Sequence, residues 1–339
     1  MAEPVANLGE IRALSAHLPG PDLEAGTAAA ARQALLTKPA GSLGRLEELA
    51  VWLATWQARH PPRLDQPRTL VFAGNHGVAA RGVSAYPAAV TAQMVQNFIA
   101  GGAAVNQLCR VFDAGLKVYE MNLDMPTGDI VIEPAMSEEE CAKAMAYGMM
   151  AVEPGIDVLA LGEMGIGNTT AAAALCAGLF GGGAELWTGP GTGVTGAALE
   201  AKRIAVAEAV ARHCDAARDP FGLLRRLGGL ELAAITGAVM AARLGRVPVV
   251  LDGFASTAAA AVLFAADPHA LDHCVVGHVS AEPGHRRLLA HIGQRPLFDL
   301  GMRLGEGSGA TLAFAILKAA VACHNGMATF AEAGVSGPA

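Results

Sequence analysis

Asp157-Val-Leu-Ala-Leu161 is a short apolar run; Gly162-Glu-Met-Gly165-Ile-Gly167 breaks it, and Asn168-Thr-Thr170 followed by Ala171-Ala-Ala-Ala174 opens a helical stretch. A strand, a glycine turn and a helix in that order are half of a βαβ unit. The theme recurs on both sides. Thr69-Leu-Val-Phe-Ala73 runs into Gly74-Asn-His-Gly77, and Leu116 to Met121 reads as another strand. Pro248-Val-Val-Leu251 leads to Asp252-Gly253, and Cys274-Val-Val-Gly277 leads to His278. This alternation predicts an α/β fold: a doubly wound, mainly parallel, Rossmann-like sheet. Ligands of such sheets bind at the carboxyl ends of the strands, where these Gly, Asp, Glu and His turns collect. Ahead of the strands, Leu23 to Leu36 and Ser42 to Trp56 follow helical spacing, and Pro61-Pro62 closes that section. At the other end, Gly305 to Asn325 is a glycine-rich loop feeding an apolar helix.

Composition narrows the function. Of 339 residues, 53% are hydrophobic and 16% charged, which excludes a disordered chain. The 24 basic and 31 acidic residues leave a net charge of −7 with no basic stripe, so no nucleic-acid partner is expected. The first twenty residues carry acids where a secretory signal would carry bases, which points to a cytoplasmic protein. Met164 to Ala184 is free of Lys and Arg but holds Asn168, two threonines and three consecutive glycines. It reads as loop plus buried helix, not as a membrane span. Six scattered cysteines without a CxxC pair are expected as buried thiols in a reducing compartment.

Three glycine clusters are candidate sites. The turn from Glu163 through Gly165, Ile166, Gly167, Asn168 and Thr169 presents backbone N–H groups and hydroxyls at a helix N-terminus, which suits a phosphate. It is an incomplete dinucleotide fingerprint, because Thr170 stands where the third glycine belongs. The plain alternative is a capped strand-to-helix turn. The second cluster, Gly189-Pro-Gly191-Thr192-Gly193, precedes a helix carrying Lys202. That lysine is either a solvated side chain or, if the two turns face each other, a countercharge for the phosphate. In the third, Arg303-Leu-Gly305-Glu306-Gly307-Ser-Gly309, a lone carboxylate sits among glycines. Glu306 is either a functional acid with room to meet a flat substrate or a helix cap, and its pKa balance is not readable at this level.

Histidines 269, 273, 278, 285 and 291 crowd one region, but none has a convincing zinc spacing, so no metal is expected. His285 and Arg286-Arg287 are expected to line a polar loop. Ser280, Glu282 and His285 lack the strand–GxSxG–helix elbow of a hydrolase.

Taken together, these motifs resemble the nicotinate-nucleotide–dimethylbenzimidazole phosphoribosyltransferase family. The resemblance runs through Lys38-Pro-Ala-Gly-Ser-Leu-Gly44, Gly74-Asn-His-Gly77 and Gly82-Val-Ser84-Ala-Tyr-Pro87, then on to Gln93-Met94. It continues through the three glycine clusters, Leu251-Asp-Gly253-Phe and His278-Val-Ser280-Ala-Glu-Pro-Gly-His285. It implies a homodimer with a large α/β domain over residues 61–299 and a smaller helical domain from residues 1–60 with 300–339. It implies nicotinate mononucleotide and dimethylbenzimidazole as substrates, with no cofactor. Glu306 would then be the catalytic base, and Glu163 would stabilise charge on the ribose. Gly165, Ile166, Gly167, Asn168, Thr169 and Lys202 would hold the phosphate, with Ser280 near the nucleotide. Ser84, Tyr86 and Gln93 would belong to the base pocket, walled by Met94 and Leu304. Two rival readings stand beside this one: a nucleotide-cofactor oxidoreductase using the Gly165 turn, and a non-catalytic nucleotide sensor on the same fold.

Overall fold

The structure, a computed structural model, describes residues 7–217 and 219–337. Five strands form one parallel sheet: β1 Pro67–Ala73, β2 Gly115–Glu120, β3 Val158–Met164, β4 Val249–Leu251 and β5 Cys274–Val276, in the order β2-β1-β3-β4-β5. All five coincide with apolar runs that the sequence marks. Each is short, and the inner three are buried on both faces, so alternation of polarity is absent there.

Before β1 come α1 Leu8–Ser15, α2 Leu23–Leu35 and α3 Arg45–Gln57. Between β1 and β3 lie α4 Ala89–Ala100, α5 Ala104–Val111 and α6 Glu138–Met150. After β3 come α7 Asn168–Phe180, α8 Ala184–Trp187, α9 Gly196–His213, α10 Pro220–Leu227 and α11 Leu230–Leu244. The chain ends with α12 Phe254–Ala266, α13 Pro283–His291, α14 Ser308–Gly326 and α15 Phe330–Ala333.

One face of the sheet contributes Leu70, Phe72, Leu159, Leu161, Val249 and Leu251 to a large core with α6, α7, α11 and α12. The other contributes Val158, Ala160, Val250 and Val275 to a second core closed by α3 and α14. Small residues let these layers approach. A methyl group at Gly148 of α6 would fall 1.8 Å from the carbonyl oxygen of Ala234 on α11, and one at Gly237 of α11 would fall 2.0 Å from that of Met145 on α6. The two helices therefore touch backbone to backbone. α2, α3 and α14 pack together, with Arg32 of α2 donating to the carbonyls of His324, Asn325 and Met327. α1 lies apart from them, against α6.

The strand order reverses direction between β1 and β3. At such a switch the connections leave in opposite senses, and a crevice opens beyond the strand ends.

Candidate active site

The crevice is walled by the loops and turns that leave the carboxyl ends of the strands. Beyond β1, Gly74-Asn-His76 runs beneath the turn after β3: a methyl group at Gly165 would lie 2.5 Å from the Gly74 carbonyl oxygen. His76 is buried and bonds Glu231 of α11 at 2.7 Å. In the turn itself, Gly167 adopts φ +99°, a conformation that frees α7 to start directly at Asn168. Thr91 of α4 accepts the Ile166 N–H at 3.1 Å and ties the turn to that helix.

The first and second glycine clusters do face each other. Lys202, in the second turn of α9, is 1% exposed, so its stem and ammonium are buried and not solvated. Its Nζ donates to Thr169 Oγ1 at 2.8 Å and to the Gly189 carbonyl at 3.0 Å. Gly191, at φ +53°, packs so closely that a side chain there would collide with both Thr169 Oγ1 and Lys202 Nζ. Burial pushes the ammonium down to about 8, against the opposing field of Glu282. An ammonium, a threonine hydroxyl and a helix N-terminus converging on one spot can hold an anion.

The third cluster reaches the same crevice from α14. Gly305, Glu306 and Gly307 all have positive φ, at 83°, 56° and 80°. The Glu306 N–H donates to the Glu163 carbonyl at 3.1 Å, so the loop continues the edge of β3 for one bond. Asp252, just beyond β4, accepts the N–H groups of Gly307 at 3.1 Å and Ala310 at 2.8 Å, and thereby caps α14. That cap leaves Glu306 free of its own helix. Its carboxylate instead accepts the Val105 N–H in the first turn of α5, at 3.3 Å. Desolvation by burial, with Asp252 adding repulsion, raises its pKa above the usual carboxylate value despite those backbone bonds. Glu163 bonds Asn168 and is held well above the carboxylate range, first by burial and then by Asp252, Glu231 and Glu306.

Ser84 Oγ lies 2.9 Å from Thr192 Oγ1, and the Ala85 N–H donates to that same hydroxyl at 3.0 Å. The Ser84–Tyr86 loop is thus tied to the second glycine cluster. Gln93 and Met94 lie on α4, close after Thr91. Met94 packs on the small core of Val71 and Phe98, while Tyr86 and Leu304 are exposed. Ser280, buried beyond β5, accepts the Glu282 N–H at 3.2 Å. His285 corrects an expectation. It lies in α13, fully buried, with Nδ1 accepting the Ser280 N–H at 2.8 Å and Nε2 3.1 Å from Thr257 Oγ1. Pro283 at the first helical position starts a helix where a polar loop was expected. Among the described residues, no three His, Cys, Asp or Glu side chains are grouped to hold a metal ion.

Sequence reading missed Glu231 altogether, and it gave Asp252, Glu282 and Arg303, which lie in motifs it quotes, no role of their own.

A family profile described as phosphoribosyltransferase matches residues 18–335. The nicotinate-nucleotide–dimethylbenzimidazole phosphoribosyltransferase of Brucella anthropi is 58% identical over 328 residues, covering 97% of each chain. The chain belongs to this phosphoribosyltransferase family. A second phosphoribosyltransferase of that name, from Sinorhizobium medicae, is 60% identical and covers 96% of each chain. The crystal structure of nicotinate-nucleotide–dimethylbenzimidazole phosphoribosyltransferase from Thermus thermophilus superposes with a TM-score of 0.86 at 42% identity. It covers 93% of this chain and 99% of its own. Family membership favours neither the oxidoreductase nor the sensor reading.

Proposed function

We propose that the protein transfers the phosphoribosyl group of nicotinate mononucleotide to 5,6-dimethylbenzimidazole or a similar base, giving α-ribazole 5′-phosphate and nicotinate in cobalamin biosynthesis. The observation that carries this reading is the meeting of an anion clamp, Lys202–Thr169, and a buried carboxylate, Glu306, at the carboxyl end of one sheet.

In this reading Lys202, Thr169 and the turn Gly165-Ile-Gly-Asn168 hold the phosphate, with Ser280 near the nucleotide. The bond between ribose C1′ and the pyridinium nitrogen breaks, and its electron pair stays on that nitrogen, so the ring loses its positive charge as nicotinate departs. Because that leaving group is already cationic, no acid is needed to expel it. The free nitrogen of the base attacks C1′ from the opposite face, so a β-nucleotide becomes an α-nucleotide. The proton on the base's other nitrogen passes to Glu306, whose raised pKa matches the task of accepting it. A carboxyl held toward its protonated form, as Glu163 is, ionises more readily once a pyridinium lies beside it. It then stabilises positive charge developing on the ribose. Ser84, Tyr86 and Gln93, with Met94 and Leu304 as apolar walls, line the base slot.

We assign residues 61–299 to a large domain and residues 1–60 with 300–339 to a smaller helical one. The packing of α2 and α3 on α14 supports this grouping for those helices, whereas α1 lies against α6 of the large domain. A homodimer is supported by the family resemblance alone. A cytoplasmic location is supported by six free cysteines. Incubation with nicotinate mononucleotide and dimethylbenzimidazole, with nicotinate release followed by chromatography, tests the activity. No release at any base concentration would sink it.

A further inference from the structure

Glu282 precedes α13 and is buried, yet it does not cap that helix with its side chain. Its Oε1 accepts the Gly191 N–H at 2.8 Å. Its Oε2 has no hydrogen-bond partner among the described residues and presses on Gly189, where a methyl group would lie 2.1 Å from it. The same short turn receives Lys202, on the Gly189 carbonyl, and Arg303, whose Nη1 donates to the Gly191 carbonyl at 3.2 Å. One carboxylate and two cations therefore meet through three residues of backbone. Burying an acid is unfavourable unless partners offset the lost hydration, and here one hydrogen bond is the whole direct offset.

We propose that Glu282 is a positioning residue for the nucleotide phosphate: it fixes the Gly189–Gly191 turn and supplies the negative field that keeps Lys202 an ammonium. This rests on the reading of Lys202 as the phosphate's partner. Around Lys202, Thr169 from α7 offers a hydroxyl and Glu282 the opposing charge, while Arg303 acts on Glu282. Glu200 and Arg203 on its own helix pair with each other at the surface. Burial has brought the ammonium down to about 8 even with Glu282 in place. Without that field, a larger share of the protein would meet the nucleotide with a neutral amine.

Glu282→Gln separates the two duties, because its amide oxygen can still accept the Gly191 N–H while the charge is gone. The test is kinetic: kcat and kcat/KM for nicotinate mononucleotide, and for its nucleoside, from about pH 6.5 to 9.5. For the wild type, kcat/KM of the nucleotide should decline as pH rises through about 8. In the Gln variant the decline should begin at lower pH, with about a tenfold loss near neutrality, the effect of losing a charge-assisted contact. kcat at saturating nucleotide and kcat/KM of the nucleoside should not move. Glu282→Asp keeps the charge but withdraws it from Gly191. It should lower kcat/KM for the nucleotide while leaving kcat and the pH midpoint unchanged. An unmoved midpoint in the Gln variant, equal losses for nucleotide and nucleoside, or an Asp variant indistinguishable from wild type each overturn the proposal. Lys202→Ala separates this from the underlying reading. If that change costs nucleotide and nucleoside equally, it is the phosphate assignment itself that fails.

Discussion

Lys202 Nζ and Thr169 Oγ1 are 2.8 Å apart, and that hydrogen bond joins the first glycine turn's helix to the helix that follows the second. Removing the ammonium should therefore cost the phosphate more than the rest of the nucleotide. Lys202→Ala is expected to weaken nicotinate mononucleotide by about 1.5–3 kcal/mol, the range for a hydrogen bond to a charged group. The nucleoside should bind variant and wild type alike. Titration calorimetry with both ligands checks this, and equal losses would assign Lys202 to the fold.

Glu306→Gln retains size and still accepts the Val105 N–H, so binding should barely change. Turnover is expected to fall by about 10²–10⁴, the usual yield of general-base catalysis. The wild-type rate should also fall on the acid side, at a pH above that of an ordinary glutamate, because burial and Asp252 raise the proton affinity of the carboxylate. Near-normal turnover of the Gln variant would leave Glu306 with only its contact to α5.

The proton transfer can be probed from the substrate. Benzimidazole lacks two methyl groups that contribute about 1–3 kcal/mol in an apolar slot, so it should react about 10- to 200-fold less efficiently than the dimethyl base. 1-Methylbenzimidazole has no proton to give and leaves the Glu306 carboxylate unpaired, the costlier fault. Competition at fixed nucleotide should rank it last. Equal rates for it and benzimidazole would remove proton abstraction from the rate-limiting chemistry.

Glu163 makes stability depend on pH. Its folded pKa is raised, so between the ordinary glutamate value and the raised one the native state binds more protons than the unfolded chain. Stability attributable to it is present at low pH and is lost as pH rises through that window. Glu163→Gln should thus gain melting temperature relative to wild type as pH increases, whatever it does to activity. A difference in melting temperature that is constant with pH would contradict this.

Gly148→Ala should cost stability without touching chemistry. The added methyl meets the Ala234 backbone at 1.8 Å, and a carbonyl cannot rotate away as a side chain can. Forced repacking of this kind costs about 1–3 kcal/mol or more. Urea unfolding would show a lower midpoint, and an unchanged midpoint would mean that α6 and α11 are not in register as described.

All five strands were legible as apolar runs, although β3 continues beyond Leu161 through Gly162 and Glu163 to Met164, where the sequence suggested a break. The fates of Lys202 and His285 were not legible. Spacing shows that a lysine lies in the second turn of a helix, but its burial follows from Gly189 and Thr169, which arrive from other connections. His285 was hidden because Pro283 reads equally as a loop residue or as a helix start. For Glu306 the sequence left cap and functional acid open. Asp252 resolved half of that by taking over the capping of α14, a pairing that only the adjacency of β4 and the last loop creates. Glu231 leaves no trace in its helix beyond one acid among apolar residues.

A final consequence concerns the backbone of Glu306. At φ +56°, asparagine, aspartate or glycine would rest more comfortably, and a longer side chain gives up about 1 kcal/mol or more to stand there. Aspartate offers the same functional group at less strain but is one methylene shorter. On the reading of Glu306 as the catalytic base, reach outweighs ease at this position. On that reading the length of the arm, set against the three-residue bend Gly305–Gly307, fixes how far the carboxylate reaches from the loop. Redesign toward larger or smaller acceptor rings should begin by altering that length.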